Sequence, residues 1–327
     1  MTSQVGLDGR RLGPVTVILG ASGGVFPHCV SLLVDGGTEK AVIDPGADAE
    51  ALRRWVPVVT RILNTHYHFD HIHGNRLFPN ATVMLNQVEQ ECFPRLESIA
   101  GKLGIQELYG DAGVAEWIRA VAAGTSPPAP FSPAFRPEWW FSTRVPAEAY
   151  PSGEFAIGSV RTVMVHSPGH TAGMACPFFP EEGLVYTADI DLTRFGPWYF
   201  ATDCDIDAFV RSSRALLALD AEWYVTGHEE GLLRRSEFAE RLEGYLAIID
   251  KRDRRILDLL GQGVSEERLT DHGVLYPTRY HVDPWVRTPD GRSFAGRWPT
   301  GPPGTVPRWS SGRAFILRPR PVRCAVS

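Results

Sequence analysis

The sequence predicts an α/β fold, and three observations carry that prediction. Short β-branched apolar runs, bounded by turns rich in glycine and aspartate, recur from Val15 to Val225. Stretches with apolar residues at helical spacing lie between them, and one dominates from Ser236 to Leu260. Metal-type side chains gather where strand-like runs give way to loops, first in residues 65–75, THYHFDHIHGN.

Taken in order, residues 15–19, 29–34 and 41–43 read as opening strands separated by SGG and DGG turns. The loop between the first two, ASGGVFPH, carries Phe26 and His28. Residues 48–55 read as a short helix, its acids Asp48 and Glu50 early and its bases Arg53 and Arg54 late, as the helix dipole prefers. Val58, Val59, Ile62 and Leu63 form a buried strand that leads into the histidine segment. A short helix at 74–78 and a strand at 82–85 follow, then helical patterns around 94–103 and 112–123.

Proline density in TSPPAPFSPAFRPEWWFSTRVP excludes a regular element there. Its aromatics, Phe131, Phe135, Trp139, Trp140 and Phe141, argue for an ordered insertion. Residues 87–150 are therefore expected to form a lid or wall, with Trp139 and Trp140 against substrate; the alternative is that the aromatics only fasten the insertion to the body. Strands are expected at 155–166, with a turn at Gly158, and at 174–179 and 184–188. The loop after Asp189, DLTRFGPWYFATDCDIDAF, is expected to line a pocket with Trp198 and Tyr199. A helix at 206–219 and a strand at 223–225 complete a main domain of residues 1–233. Residues 234–283 form a helical C-terminal region, suited to packing on the main domain or to homodimerisation, and 284–327 a Pro/Gly/Arg-rich tail. That tail, with eight arginines, no lysine and one acid, Asp290, carries about +7 in an otherwise acidic chain.

The chain has 327 residues, 43% hydrophobic and 22% charged, with a formal net charge of −5. At ~150 residues per domain this length suits one large domain or two ordinary ones with a sizeable core. The charge offers no global basic field for nucleic acid. No uninterrupted apolar run reaches the ~18 residues of a membrane span, and the first residues, MTSQVGLDGRRLGPV, lack a charged start followed by an apolar run. The expected location is the cytoplasm, and the expected partner a small-molecule substrate rather than a membrane or nucleic acid. Five cysteines without CxxC spacing, an odd number, argue against a complete disulfide framework. Cys29 and Cys176 read as small core residues and Cys204 as a bystander thiol.

His66, His68, Asp70 and His71 occupy six consecutive positions in a chain with ten histidines. Imidazole suits zinc, iron and related metals, and a carboxylate adds a harder oxygen. In extended chain past a strand, His66 and His68 share a face. Asp70 and His71, as the chain turns into a helix, aim at a second point beside the first. The competing reading, a helix beginning near His71 and capped by Asp70, does not explain four metal-type ligands at this density. Downstream, His170 in SPGHTAG, Asp189 in VYTADID and His228 in YVTGHEEG each follow a short strand-like run.

On these residues the chain resembles the metallo-β-lactamase fold superfamily, whose pattern is HxHxDH followed by a His, an Asp and a His. The resemblance spans about residues 15–231, and all seven positions are filled. It implies an αββα four-layer sandwich with a C-terminal helical extension. It also implies one metal held by His66, His68 and His170, a second by Asp70, His71 and His228, and Asp189 bridging them. Two zinc ions are expected, though the same ligands accept iron, manganese or nickel. Asp44 resembles the superfamily's Asp-x-Gly turn and suits a role behind the ligands, accepting a ring N–H and fixing a tautomer. The loop with Phe26 and His28 often overhangs the metals in the family.

A dinuclear site implies hydrolysis by a metal-bound hydroxide of lowered pKa, with Asp70 orienting the nucleophile and Tyr199 donating to a developing oxyanion. The expected substrates are carboxylic esters, thioesters or lactones, by resemblance to glyoxalase II-like and lactonase-like hydrolases. His73 stands where those motifs often carry glycine, a departure that counts against glutathione thioesters. Two alternatives use the same fold, a phosphodiesterase and a mononuclear iron persulfide dioxygenase. No recognisable nuclease domain accompanies the first, and the second has no need of a complete second ligand set.

Overall fold

The computed structural model describes residues 10–92, 95–102, 104–122, 147–151, 153–199 and 201–274. Trp139 and Trp140, residues 123–146 of the expected lid and the Arg-rich tail lie outside the described residues. Two mixed sheets face each other between outer helices. The first has seven strands in sequence order, β1 (Arg11–Leu12), β2 (Val15–Ile18), β3 (Ser31–Asp35), β4 (Lys40–Ile43), β5 (Arg61–Leu63), β6 (Thr82–Leu85) and β7 (Glu148–Ala149). Pairing is antiparallel through β4 and parallel from β4 to β7. The second sheet runs in reverse order, from β13 (Leu232–Arg234) through β12 (Trp223–Val225), β11 (Leu184–Tyr186), β10 (Ala175–Phe179) and β9 (Val160–His166) to β8 (Glu154–Ile157). Only β11 and β12 pair in parallel there.

The period-2 alternation of the strands sorts the core into layers. Leu32, Val34, Ile43 and Leu63 point into a central cluster shared with Val160, Cys176, Phe179 and Val185 of the second sheet. Leu33, Val42, Ile62 and Val83, one register position away, point outward to helices α1 (Ala49–Leu52), α2 (Phe69–Ile72), α3 (Leu96–Lys102) and α4 (Ile105–Ala122). Leu32, Ile43 and Ile62 are fully buried, and each such side chain contributes about 1.5–3 kcal/mol. Across the second sheet lie α5 (Ile206–Ala215) and α6 (Arg235–Gly261), where Phe238 stacks on Tyr224 with ring centroids 4.5 Å apart.

Helix ends follow local chemistry. Asp48 caps α1 by accepting from Ala51 N–H, and Asp205 caps α5 by accepting from Ala208 N–H. On α6, Phe238, Leu242, Tyr245, Leu246, Ile249, Arg252, Ile256 and Leu259 are buried, the inward stripe that the helical spacing anticipates. The structure differs from the sequence reading at several edges. The two-residue strands β1 and β7 are too short to carry an alternation, and α4 begins at Ile105, continuing through Gly110 at φ 64°. Residues 206–219 end in a 3-10 turn, Leu216–Ala218, and within the helical C-terminal region α6 is followed by a 3-10 segment, Glu266–His272. Among the described residues no helix is long and apolar enough to cross a membrane.

Candidate metal centre

The site forms where strands of both sheets end at the same edge of the sandwich. β5 delivers Asn64 and Thr65 and then the histidine segment; α2 begins at Phe69 with His68 at its N-cap, so Asp70 and His71 sit in its first turn. The helix therefore starts before Asp70, which is not its cap. Two close backbone approaches fix this segment against the turn after β4. A Cβ on Gly46 would lie 1.7 Å from the Asp70 carbonyl oxygen, and one on Gly74 would lie 1.6 Å from that of Pro45. Only glycine fits either position.

His170 follows β9 and the turn to β10, Asp189 follows β11, and His228 follows β12. The ligand atoms fall into two groups, His66, His68, His170 and Asp189 in one and Asp70, His71 and His228 in the other, within 4.8 Å of one another in each. Asp189 reaches both. Its Oδ2 is 3.0 Å from His170 Nε2 and 3.9 Å from His66 Nε2, while Oδ1 is 2.8 Å from His71 Nε2 and 3.7 Å from His228 Nε2. Asp70 Oδ2 stands 3.4 Å from His228 Nε2 and 3.8 Å from His71 Nε2. Ligands ~2.0–2.1 Å from a tetrahedral ion are ~3.4 Å from each other, so these spacings match edges of a coordination shell.

In four of the five rings, all but His68, the opposite nitrogen has a partner that fixes the ring. Asp44 Oδ2 lies 2.7 Å from His71 Nδ1 and also accepts from the Thr65 hydroxyl at 2.6 Å, while Oδ1 accepts from Thr65 N–H at 2.7 Å. The same hydroxyl lies 2.9 Å from His66 Nδ1. His170 Nδ1 faces the Trp198 carbonyl at 3.0 Å, and His228 Nδ1 faces the carbonyls of Gly24 and His28 at 3.0 and 3.1 Å. His68 alone turns Nδ1 inward, 2.8 Å from His170 Nε2. Non-glycine residues with positive φ concentrate here, at Asp44 (45°), Ala188 (46°), Leu192 (60°) and Glu229 (54°). Such conformations cost about 1–3 kcal/mol each and persist where surrounding contacts enforce them.

Electrostatics separate the rings. Burial pushes His66 well below the ordinary histidine range and His68 down to about 3. Burial also acts against charge on His228, but the hydrogen bond to Asp70 and the field of Asp189 outweigh it and raise that ring to about 9. Two buried carboxylates thus favour positive charge at the centre, and a site of this kind exchanges protons for cations. His66 Nε2 is buried with no hydrogen-bond partner among the described residues. That orphaned donor atom, the occupied opposite nitrogens and the five-imidazole, two-carboxylate set all fit a divalent metal.

Other expected site residues separate into rim and interior. Phe26 is partly exposed and meets Phe69 edge-on at 5.4 Å. Trp198 lies 5.2 Å from the His68 ring and 5.5 Å from that of His170. Tyr199, expected to donate to substrate, is instead 2% exposed, packed in the central core with the Arg252 guanidinium over its ring at 5.3 Å. The chain alternates direction at Pro197-Trp198-Tyr199, so Trp198 meets the His68 and His170 rings while Tyr199 packs in the interior. His73 is buried, its Nδ1 3.1 Å from the Phe69 carbonyl, and His166 is exposed at the end of β9. Cys204 is buried and donates to the His170 carbonyl at 2.8 Å. Sequence reasoning did not single out Thr65, whose hydroxyl joins Asp44 to His66, or Glu89. The Glu89 carboxylate accepts from Gly173 N–H at 2.8 Å and from the Thr171 hydroxyl, bracketing the loop that carries His170. Thr65 stood inside the histidine segment, but a lone threonine carries no pattern.

Comparison with known proteins gives the same fold. A family model described as the metallo-beta-lactamase superfamily matches residues 24–228. A metallo-beta-lactamase family protein from Thermus thermophilus is similar in structure, 22% identical, over 82% of this chain and 89% of that chain, with a TM-score of 0.54. BLEG-1 B3 metallo-beta-lactamase is 20% identical over 69% of this chain and 96% of its own, with a TM-score of 0.48. A superfamily protein from the archaeon Sulfolobus tokodaii is 17% identical over 70% and 85%, with a TM-score of 0.46. At these identities the likeness is one of fold. No curated protein sequence matches the chain.

Proposed function

The chain belongs to the metallo-beta-lactamase superfamily, and from that premise we propose that it is a dinuclear zinc hydrolase of carboxylic esters, thioesters or lactones. The observation that carries the reading is the placement of Asp189, one carboxylate oxygen toward each ligand group. In this reading His66, His68 and His170 hold one ion, Asp70, His71 and His228 the other, and Asp189 both. Zinc ions bound there would supply Lewis acidity and a water of lowered pKa. Asp70, whose carboxyl is held, despite burial, below its usual range by His71 and His228, would be placed to orient a water there and to carry a proton. Phe26 and Trp198 flank the opening and would hold the apolar part of a small substrate while excluding bulk water. The buried Tyr199 supports the wall behind Trp198 rather than touching substrate. The four described cysteines are free and buried, which suits the reducing cytoplasm.

The test is metal content per chain for protein purified without chelator, beside His71→Ala and His170→Ala, with a screen of ester, thioester and lactone substrates. About two zinc ions, falling in each variant together with activity, are expected from the two-group ligand set. A single iron insensitive to His71→Ala would overturn the dinuclear reading and favour oxygen-dependent sulfur chemistry.

A further inference from the structure

Helix α6 follows the last ligand by a few residues and turns one stripe toward the centre, Arg241, Tyr245, Ile248 and Arg252, at spacings i, i+4, i+7 and i+11. Each member holds a loop that carries a ligand. Arg241 donates to Glu230 at 2.7 Å, two residues past His228, and Tyr245 donates to the Asp189 carbonyl at 3.1 Å. Ile248 packs on Gly196, where a Cβ would lie 2.6 Å from its Cγ2. Arg252 is 6% exposed and donates from one guanidinium to two carbonyls, those of Pro197 and Phe195, each at 2.6 Å.

The segment from Ile190 to Tyr199 contains neither strand nor helix. A planar guanidinium that donates to two carbonyls two residues apart fixes such a segment more tightly than a single donor does. The next carbonyl, that of Trp198, faces His170 Nδ1 at 3.0 Å, and the Trp198 ring meets His68 edge-on and His170 at a tilt, 5.2 and 5.5 Å between centroids. We propose that Arg252 is a positioning residue for the His66, His68 and His170 group, setting the His170 ring through the Pro197-Trp198 peptide. This rests on the proposal that the group holds a metal. Arg252 touches neither the ligands nor the reacting atoms; it reaches them only through a backbone carbonyl. The Asp70, His71 and His228 group is held by other partners, Asp44 and the carbonyls of Gly24 and His28, and is independent of Arg252.

The test pairs Arg252→Met and Arg252→Lys, in the full chain, with each single-group background, using cobalt alone as the probe. In the His71→Ala background, Arg252→Met should weaken cobalt binding about 10–100-fold, the range for loss of a partner behind a ligand. In the His170→Ala background it should leave cobalt binding unchanged. Arg252→Lys, keeping one donor, should recover part of the loss. Equal loss in both backgrounds, or none in the first, would overturn the proposal and reduce Arg252 to a packing residue of α6. Should Arg252→Met fail to fold, Arg252→Lys carries the same comparison. A metal-free readout separates this proposal from the dinuclear one. Long-range imidazole nitrogen spectra of the apo chain should show the His170 Nδ1 proton hydrogen-bonded in the wild type and released in Arg252→Met. If it stays bonded, the positioning role fails even where two metals bind. If it is released while the wild type binds no cobalt, the dinuclear reading fails alone.

Discussion

The two halves of the molecule supply the candidate metal ligands in different ways. The seven-stranded half delivers four from one continuous segment, and the side chains that orient two of them, Thr65 at His66 and Asp44 at His71, come from that segment and the adjacent turn. The six-stranded half delivers three, each from a separate strand end, and orients two of them through backbone carbonyls of distant loops. The first arrangement is local and made of side chains; the second is long-range and made of main chain. Local arrangements leave a sequence signature, because residue identity does the work. Arrangements built from main chain constrain the fold while leaving residue identity almost free.

The largest effect expected is from Asp189→Ala. It belongs to the second half but faces both groups, so its loss should empty both, lowering metal per chain toward zero and activity by more than the ~100-fold that follows loss of an outer partner. Elemental analysis of the purified variant decides this. Retention of one full equivalent would mean that the halves bind independently.

Asp44→Asn tests the first half at its centre. The carboxylate accepts from Thr65 N–H and hydroxyl and lies 2.7 Å from His71 Nδ1. An amide presents a donor where two acceptor oxygens are needed, so metal affinity at the His71 group should fall by about 10–100-fold. The effect on the His170 group should be smaller, reaching it only through Thr65 and His66. Titration of each group in the single-group backgrounds measures the asymmetry; equal losses would break the comparison.

This division explains what was legible in the sequence. The histidine segment, the strand ends and the inward stripe of α6 could be read because each is a spacing of residue types, whereas His170, Asp189 and His228 take their candidate roles from the resemblance to a family pattern. Asp44 could be placed behind the histidine segment because its turn resembles the superfamily's Asp-x-Gly turn, and the structure sets its carboxylate 2.7 Å from His71 Nδ1. Tyr199 could not be placed, since adjacent aromatics at 198 and 199 look alike in sequence and only the backbone direction decides which faces the metals. Arg252 and Glu89 escaped for a related reason. Both contact groups far away along the chain; an arginine in a helical pattern reads as a solvated face, and a glutamate in an irregular stretch carries no pattern.

Glu89 sharpens the comparison through pH. Burial raises its carboxyl from 4.5 to about 7, against the opposing bonds from Thr171 and Gly173. The folded chain therefore keeps a proton between those values that the unfolded chain has released. The stability this contributes is complete below pH 4.5 and is lost as pH rises through 7. At ~1.4 kcal/mol per pH unit the loss reaches about 3 kcal/mol by pH 8. Glu89→Gln keeps the acceptor for Thr171 and Gly173 and does not titrate, so it should unfold at higher urea than wild type at pH 8 and lack this part of the pH dependence. Parallel curves for the two proteins from pH 4.5 to 8 would show that the carboxyl titrates normally.

The smallest effect tests what attaches α6. Arg214 on α5 meets Glu243 on α6 with two bonds, 2.9 and 2.7 Å, yet both side chains are more than half exposed. Water competes for both groups and salt screens them, so Arg214→Ala should change stability by less than ~1 kcal/mol. It should leave cobalt affinity at both groups unchanged, in contrast to Arg252→Met. The geometry of the two arginines is similar, since each guanidinium makes two short bonds. What differs is that Arg252 is buried and ends on the backbone that holds a ligand, whereas Arg214 ends on a solvated carboxylate. A shift in metal affinity from Arg214→Ala would mean that the site responds to any loosening of α6, and the specific path through Trp198 would no longer be needed.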